Sequence, residues 1–111
     1  MSGSQPRMTQ TTQAVLRAML EDPSKDLYGL EICAATGLPS GTVHPILARF
    51  EALGWLDSAW EQVDPREQGR PRRRYYRLNS NGVGLARDAL ARAYETRTRL
   101  VTRLRPAGET G

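Results

Sequence analysis

The sequence is poor in the residues that build disulfides, metal sites and membrane spans. It has one cysteine and one histidine in 111 residues. Because Cys33 has no second thiol to pair with and no apolar signal segment precedes it, we expect a reducing, cytoplasmic location and a buried free thiol. Cys33 and His44 are the only good soft ligands, which argues against a zinc finger. No stretch approaches the about 20 apolar residues that a membrane span needs.

Groups that could do catalysis are also scarce. Beside one Cys and one His, the sequence has no glycine-rich phosphate loop and no cluster of carboxylates. Lysine is almost absent as well, since fifteen of the sixteen basic residues are arginine and Lys25 is the exception. We therefore expect a binding protein without a cofactor rather than an enzyme.

Charge is unevenly distributed along the chain. Residues 1–65 hold four basic and eight acidic groups, whereas residues 66–111 hold twelve basic and four acidic groups. The bias peaks between Gly69 and Leu78, where the sequence reads Gly-Arg-Pro-Arg-Arg-Arg-Tyr-Tyr-Arg-Leu. Its closing Tyr-Tyr-Arg-Leu is typical of a strand. A rigid hairpin arm that carries arginine is expected to bind a polyanion, because guanidinium groups suit phosphate oxygens and base edges.

Two helices are predicted in the first third of the chain. Apolar residues recur at helical spacing from Thr9 to Leu20 and again from about Leu27 to Thr36. Gly37 follows the second helix, where a left-handed C-cap is expected. The residues expected to be buried on this second helix are Tyr28, Ile32 and Ala35.

A third helix is predicted from Gly41 to Leu53, with Ser40 as its N-cap and Gly54 just after its end. Its separation from the second helix by a short glycine-containing turn is the signature of a helix-turn-helix. Pro45 falls one turn inside and is expected to bend the helix start without breaking it. One face is apolar, and the opposite face is small, so that the helix axis can approach a surface closely. The expected core residues are Val43, Ile46, Leu47, Phe50 and Leu53.

A β-hairpin is predicted to follow the three helices. Strands are expected over Trp55–Gln62 and Arg72–Leu78, joined by a loop from Val63 to Arg70. The order helix, helix, helix, hairpin is the winged-helix plan. The sequence thus predicts a mainly α fold with a small β-hairpin.

The final helix is predicted to begin at Asn79 or Ser80 and to reach about Arg105, where a proline and a glycine follow. At about 26 residues and about 39 Å, it is longer than a domain of this size can cover. Its apolar residues, spaced by three and four, are therefore expected to pack against a second subunit. The alternative is a half-solvated helix that frays after Tyr94, since Arg97 interrupts the apolar stripe.

These elements predict one winged helix-turn-helix domain with a dimerisation helix attached. The first residues are small and polar, so they are expected to be loose. The predicted divisions are a flexible segment at 1–8, the winged-helix domain at 9–78, the C-terminal dimerisation helix at 79–105 and a flexible tail at 106–111.

Three stretches of the chain carry a resemblance to a known family. They read Leu-Tyr-Gly-Leu-Glu-Ile at residues 27–32, Ser-Gly-Thr-Val-His-Pro-Ile-Leu-Ala-Arg-Phe-Glu at residues 40–51, and the basic stretch at residues 69–78. In this order and spacing they resemble the PadR family of bacterial transcriptional regulators. The size and the single C-terminal helix are similar to the short subfamily, whose members are dimers built through the first and last helices.

The resemblance implies that the third helix enters the DNA major groove and that the Gly69-Arg70-Pro71 tip of the wing reaches the neighbouring minor groove. Arginine at a wing tip suits a narrow, electronegative minor groove. The alternative for the strand arginines is a solvated face. The family usually has Tyr where His44 stands, so a contact with DNA there is expected to be lost, weakened or made pH-sensitive, and the alternative is a plain surface histidine. The residues expected to contact DNA are Ser40, Gly41, Thr42, His44, Pro45, Arg49, Gly69, Arg70, Pro71, Arg72, Arg73, Arg74 and Tyr75.

The resemblance also implies a homodimeric repressor on a roughly palindromic, double-stranded operator. Some family members respond to small aromatic or lipophilic ligands in a cavity at the dimer interface. Trp55 and Trp60 are the aromatic candidates for such a contact, with strand anchoring in the core as the alternative. The rival interpretation is a winged-helix interaction module that binds an acidic protein. The residues expected at the dimer interface are Val15, Met19, Leu90, Tyr94, Leu100, Val101 and Leu104.

Overall fold

The structure, a computed structural model, describes residues 6–104. The predicted tail at 106–111, the first five residues of the predicted N-terminal segment and the predicted helix end at Arg105 lie outside these residues. Helices predominate over a small antiparallel sheet, as expected. In chain order the elements are α1 (Gln10–Leu20), β1 (Leu27–Tyr28), α2 (Gly29–Thr36), α3 (Ser40–Ala52), β2 (Leu56–Trp60), α4 (Pro65–Gln68), β3 (Arg74–Leu78) and α5 (Ser80–Leu104).

Helix α1 begins at a threonine cap. The hydroxyl of Thr9 accepts a hydrogen bond from the Thr12 amide at 3.2 Å, which satisfies one of the otherwise unpaired amides of the first turn. The apolar face of the helix then lies in the core of the protomer. Val15 and Met19 keep 1% and 2% of their accessible surface. They were predicted to form part of a dimer interface, and this was wrong, because an apolar stripe does not reveal which surface covers it.

The predicted second helix starts two residues later than expected. Leu27 and Tyr28 form β1, because their backbone pairs with Tyr76 and Tyr75 of β3. Tyr28 is half-buried, and its amide donates to the Glu31 carboxylate at 3.1 Å as α2 begins. The prediction of a helix over Leu27–Tyr28 was therefore wrong.

The end of α2 is as predicted. Gly37 has φ 75° and donates its amide to the Cys33 carbonyl at 2.8 Å, which is the left-handed C-cap expected there. Ile32 is fully buried, whereas Ala35, expected in the core, is exposed. Cys33 is half-buried rather than buried.

Helix α3 differs from its prediction at both ends. Pro39 rather than Ser40 is the N-cap, and Ser40 is the first helical residue. Pro45 is accommodated without a break, because only one hydrogen bond of the first turns is lost. Leu53 was expected in the core but is 40% exposed at the C-terminal cap. The other four predicted core residues are buried: Val43, Ile46, Leu47 and Phe50.

The three strands form one antiparallel sheet in the order β1-β3-β2. In the pairing of β2 with β3, Leu56 lies opposite Leu78 and Trp60 lies opposite Arg74. Both strands are shorter than predicted, and the connection between them contains the short helix α4, capped by Asp64. We call residues 56–78, which include β2, α4 and β3, the wing.

The cap of helix α5 fixes the helix beside Trp55, the residue before β2. The side-chain oxygen of Asn79 accepts the amide of Gly82 at 2.8 Å, and the Asn79 amide donates to the Trp55 carbonyl at 3.0 Å. Gly82 is buried against that same carbonyl. One core cluster, to which α1, α2, α3, β2, β3 and the first turns of α5 contribute, holds the domain together. Trp55 belongs to this cluster and packs against Phe50 with 4.8 Å between ring centroids.

Candidate nucleic-acid interface

The buried face of α3 determines which side chains it presents to solvent. Because Val43, Ile46, Leu47 and Phe50 anchor one face, the opposite face carries small and polar residues. The Thr42 amide donates to the Pro39 carbonyl at 2.9 Å, so it is already used within the protein. The predicted contact residues on this helix are exposed except for half-buried Thr42: Ser40, Gly41, Thr42, His44, Pro45 and Arg49.

His44 lies over the start of α2. A Cβ atom built on Gly29 would come within 2.6 Å of the His44 Cε1 atom, so the imidazole can occupy this position only because residue 29 has no side chain. Gly29 is buried, and its role was not foreseen from the sequence.

A groove of about 350 Å³ separates the start of α2 and His44 from the wing; we call it the α3–wing groove. No acidic side chain lines it, while four arginines do. Its charge and its position beside the exposed face of α3 suit a polyanion. The lining residues are Tyr28, Gly29, Leu30, His44, Arg70, Pro71, Arg72, Arg73, Arg74 and Tyr76.

Arg70 is held by Glu61. Its two terminal nitrogens donate to the two carboxylate oxygens of Glu61 at 2.7 and 2.9 Å. These bonds lower the pKa of Glu61 from 4.5 to about 2, against an opposing effect of burial, and they raise the pKa of Arg70. The Glu61 carboxylate and the Arg70 guanidinium are therefore both ionised at any pH used in a DNA-binding assay.

Two further arginines of the wing lie on aromatic rings. The Arg73 guanidinium carbon is 4.2 Å from the centre of the Tyr28 ring, and that of Arg74 is 5.1 Å from the centre of the Trp60 ring. Tyr28 also meets Tyr75 edge to face, with 5.5 Å between centroids. The rings restrict the arginine rotamers without neutralising their charge.

Arg74 also connects the wing to α3. Its terminal nitrogen donates to the Ser58 hydroxyl at 2.7 Å, and that hydroxyl donates to the Glu51 carboxylate. Arg74 lies 3.4 Å from the same carboxylate. The C-terminal half of α3 and both strands of the wing are thus joined through one polar network.

The predicted site residues therefore separate into groups. His44 and Arg70 to Arg74 lie around one groove, and Gly69 ends α4 beside it with φ 67°. Arg77 of β3, which was not among the residues expected to contact DNA, lies 3.6 Å from Asp26. Sequence reasoning missed Glu61, Tyr28 and Gly29, since their contacts depend on the strand pairing and on the packing of helices. Spacing alone carried no signal for them.

The two tryptophans have different environments. Trp55 is 7% exposed and lies in the core, which agrees with the alternative role of strand anchoring. Trp60 is 54% exposed, and the Arg74 guanidinium lies over its ring. Of the two tryptophans, only Trp60 has exposed ring surface that a ligand could contact.

The second half of α5 leaves apolar side chains uncovered in the single protomer. Tyr94, Leu100 and Val101 are 68%, 53% and 52% exposed, and Leu90 is half-buried against the core. The side chain of Leu104 lies outside the described part of the chain. A groove of about 630 Å³ runs between the segment before α1 and this helix, from Pro6 and Met8 to Arg97 and Leu100. Among residues 6–104, no helix is both long and apolar enough to cross a membrane.

Comparison with known proteins adds a family and several related folds. The model of the transcriptional regulator PadR-like family matches residues 16–88. No curated protein matches the chain. A solved structure of a PadR family transcriptional regulator from Eggerthella lenta has a TM-score of 0.64 and 22% sequence identity, over 86% of this chain and 85% of that one.

Two other regulators share the fold. The PcaV transcriptional regulator from Streptomyces coelicolor has a TM-score of 0.66 at 24% identity, over 87% of this chain and 65% of that one. MepR, which regulates the multidrug efflux pump MepA of Staphylococcus aureus, has a TM-score of 0.60 at 20% identity, over 88% of this chain and 67% of that one. At these identities the likeness concerns the fold, and it is the family match over residues 16–88 that assigns the chain. The chain belongs to the PadR-like family of transcriptional regulators.

Proposed function

We propose that the protein is a homodimeric, sequence-specific DNA-binding repressor that docks α3 in the major groove and the wing on the neighbouring minor groove. The observation that carries this is the α3–wing groove, where His44 and four arginines surround a space without an acidic side chain. The shared fold adds support, since MepR has been solved in complex with DNA.

A dimer is proposed because α5 exposes Tyr94, Leu100 and Val101 on a helix of 25 residues, about 37 Å long. Two copies related by a two-fold axis would present two α3 helices to half-sites about one helical turn apart on a roughly palindromic operator. Such a protein would repress by occupying the promoter.

Relief by a small aromatic or lipophilic molecule belongs to the same proposal. PcaV, which shares the fold, has been solved with its natural ligand. In this chain the exposed ring of Trp60 and the groove of about 630 Å³ beside α5 offer apolar surface to such a molecule. Quenching of Trp60 fluorescence by planar aromatic compounds, absent in Trp60→Phe, would support an effector. Unchanged fluorescence with release of DNA would assign the effector to the α5 groove instead.

The test of DNA binding is enrichment of genomic fragments on the purified protein, followed by a mobility-shift titration of the enriched site at several salt concentrations. Arg72→Ala should lower the slope of log affinity against log salt by about 1, because one phosphate contact is lost. Arg87→Ala is the matched control, since this exposed arginine of α5 does not line the α3–wing groove. A folded protein that enriches no fragment and shifts none at low salt would refute the proposal and favour a module that binds an acidic protein.

Oligomeric state needs a separate measurement. Sedimentation should give twice the chain mass of 12.4 kDa for the wild type. Leu100→Glu should shift the protein towards the monomer, because it places a charge on the exposed apolar surface of α5. Leu53→Glu, at an exposed leucine outside α5, should leave the dimer intact. A monomeric wild type would refute the homodimer without affecting the proposal of DNA contact.

A further inference from the structure

The hydrogen bonds that the Glu61 carboxylate accepts all come from Arg70 and Arg73, at the other end of the connection between β2 and β3. One oxygen accepts from Arg70 at 2.7 Å and from the Arg73 backbone amide at 3.1 Å, and the other accepts from Arg70 at 2.9 Å. The Glu61 amide in turn donates to the Arg73 carbonyl at 2.8 Å. Its side chain keeps 13% of its accessible surface, against 28% for Arg70. Bidentate pairs of this kind fix both position and orientation.

Among the described residues, the only other side-chain hydrogen bond that crosses the connection closed by Glu61 runs from Arg72 to the Val63 carbonyl. Between the strands lies α4, a helix of four residues with no buried side chain. A segment without a buried apolar face gains no order from the core and would sample many conformations if its ends were free. Glu61 and Arg70 are nine positions apart, and their ion pair closes a loop that contains α4.

Arg72, unlike Arg70, makes no ion pair with Glu61 and is held through its Nε atom alone. Its Nε atom donates to the Val63 carbonyl at 2.9 Å, and within residues 6–104 its two terminal nitrogens have no hydrogen-bond partner. It is exposed at the mouth of the α3–wing groove. The bond to Val63 fixes the base of the side chain, while the outer edge of the guanidinium group stays available to an external acceptor.

We propose that Glu61 is a positioning residue that braces the wing through Arg70, and that Arg72 rather than Arg70 is the arginine through which the wing tip contacts DNA. This inference rests on the proposed DNA-binding function. It replaces the expectation from the sequence that Arg70 and Arg72 both contact DNA.

If Glu61 braces the wing, its removal should change DNA affinity in the direction opposite to that expected from electrostatics alone. Removing an acidic side chain near a polyanion should strengthen binding if Glu61 is only a surface charge. If Glu61 orders the wing, its removal leaves the DNA contacts available but requires the connection to be ordered at each binding event. Affinity then falls about tenfold, which corresponds to ordering about one more residue, and the salt slope stays unchanged.

The DNA arm of the experiment compares Glu61→Ala, Arg70→Ala, their double variant and Arg72→Ala on one enriched operator. We expect the first two to weaken binding about tenfold with the wild-type salt slope, and the double variant to match either single change, because each removes the same pair. Glu61→Gln, which keeps a carbonyl acceptor for the Arg73 amide, should fall between. Arg72→Ala should lower the slope by about 1. The control is Glu67→Ala, which removes an exposed acidic group from the same connection and should not weaken binding.

A second arm needs no DNA. Trypsin can cut the connection after Arg66, Arg72 and Arg73, while the bond from Arg70 to Pro71 resists cleavage, so Arg70→Ala removes no cutting site. Full-length Glu61→Ala and Arg70→Ala should be cut in this segment about tenfold faster than the wild type and Glu67→Ala, because cleavage follows the open population. Urea midpoints measured in parallel separate a loosened wing from a destabilised domain.

The results distinguish the two proposals. The brace is overturned if Glu61→Ala binds DNA as tightly as the wild type or more tightly, if Arg70→Ala lowers the salt slope as Arg72→Ala does, or if the tryptic rates are unchanged. A wild-type protein that binds no DNA would refute the proposed function, while the tryptic rates would still decide whether Glu61 orders the wing.

Discussion

Gly82 is the position where the structure makes its sharpest prediction about stability. A Cβ atom built there would lie 2.9 Å from the carbonyl carbon of Trp55 and 3.1 Å from its Cα, and closer still to its oxygen. These are backbone atoms that cannot rotate away. The same carbonyl accepts the Asn79 amide that starts α5. Gly82→Ala must therefore move the start of α5 away from Trp55, the residue before β2.

The expected cost follows from three terms. Overpacking against fixed atoms costs about 1–3 kcal/mol, and the strained Asn79 hydrogen bond adds about 1 kcal/mol. Alanine returns about 1 kcal/mol through its better helix propensity. The net destabilisation is about 1–3 kcal/mol, or roughly 4–8 °C of melting temperature per kcal/mol for a domain of this size.

Gly84 supplies a matched control on the same helix. A Cβ atom there would meet nothing within 4 Å, so Gly84→Ala should stabilise the protein by about 0.5–1 kcal/mol. Urea denaturation of the two variants and the wild type, at one protein concentration because assembly shifts apparent stability, measures both effects. If Gly82→Ala is as stable as the wild type or gains as much as Gly84→Ala, the contact with Trp55 does not exist in solution and the reasoning fails.

Two further predictions concern the core and the wing. Phe50 is fully buried against Trp55, so Phe50→Ala should cost about 3–5 kcal/mol in urea denaturation, and a loss below about 1 kcal/mol would exclude Phe50 from the core. Because the Arg70 bonds lower the pKa of Glu61 to about 2, the stabilisation by this pair is complete above pH 4.5 and is lost as the pH falls through about 2. The carboxyl carbon of Glu61, followed by NMR, should titrate with a midpoint near 2. A midpoint at 4.5 would mean that the pair is broken in solution.

The parts of the fold that follow from local chemistry could be predicted from the sequence. The Gly37 cap, the apolar stripe of α3 and the hairpin each depend on neighbouring residues, and the structure contains all three. The short strand β1 was missed because Leu27 and Tyr28 become a strand only by pairing with β3, almost fifty residues further along the chain. Local periodicity cannot report a pairing of that range.

In the candidate site, too, local composition could be predicted from the sequence, whereas contacts between distant residues could not. The density of arginine predicted a basic arm, and four of its arginines do line the α3–wing groove. What each arginine does depends on partners elsewhere: Glu61 for Arg70, and Tyr28 for Arg73. Arginines that look equivalent in a run of letters are therefore distinguished only by the register of β2 and β3 and by the packing of α2 against the sheet.

The polar link from Glu51 through Ser58 to Arg74 has a mechanical consequence. It joins α3 to both strands of the wing, so a rotation of α3 about its own axis must either carry the hairpin along or break the link. While this link is intact, α3 and the hairpin should move together in a conformational transition. A movement imposed on α3 alone would therefore also shift Ser58 and Arg74 of the wing.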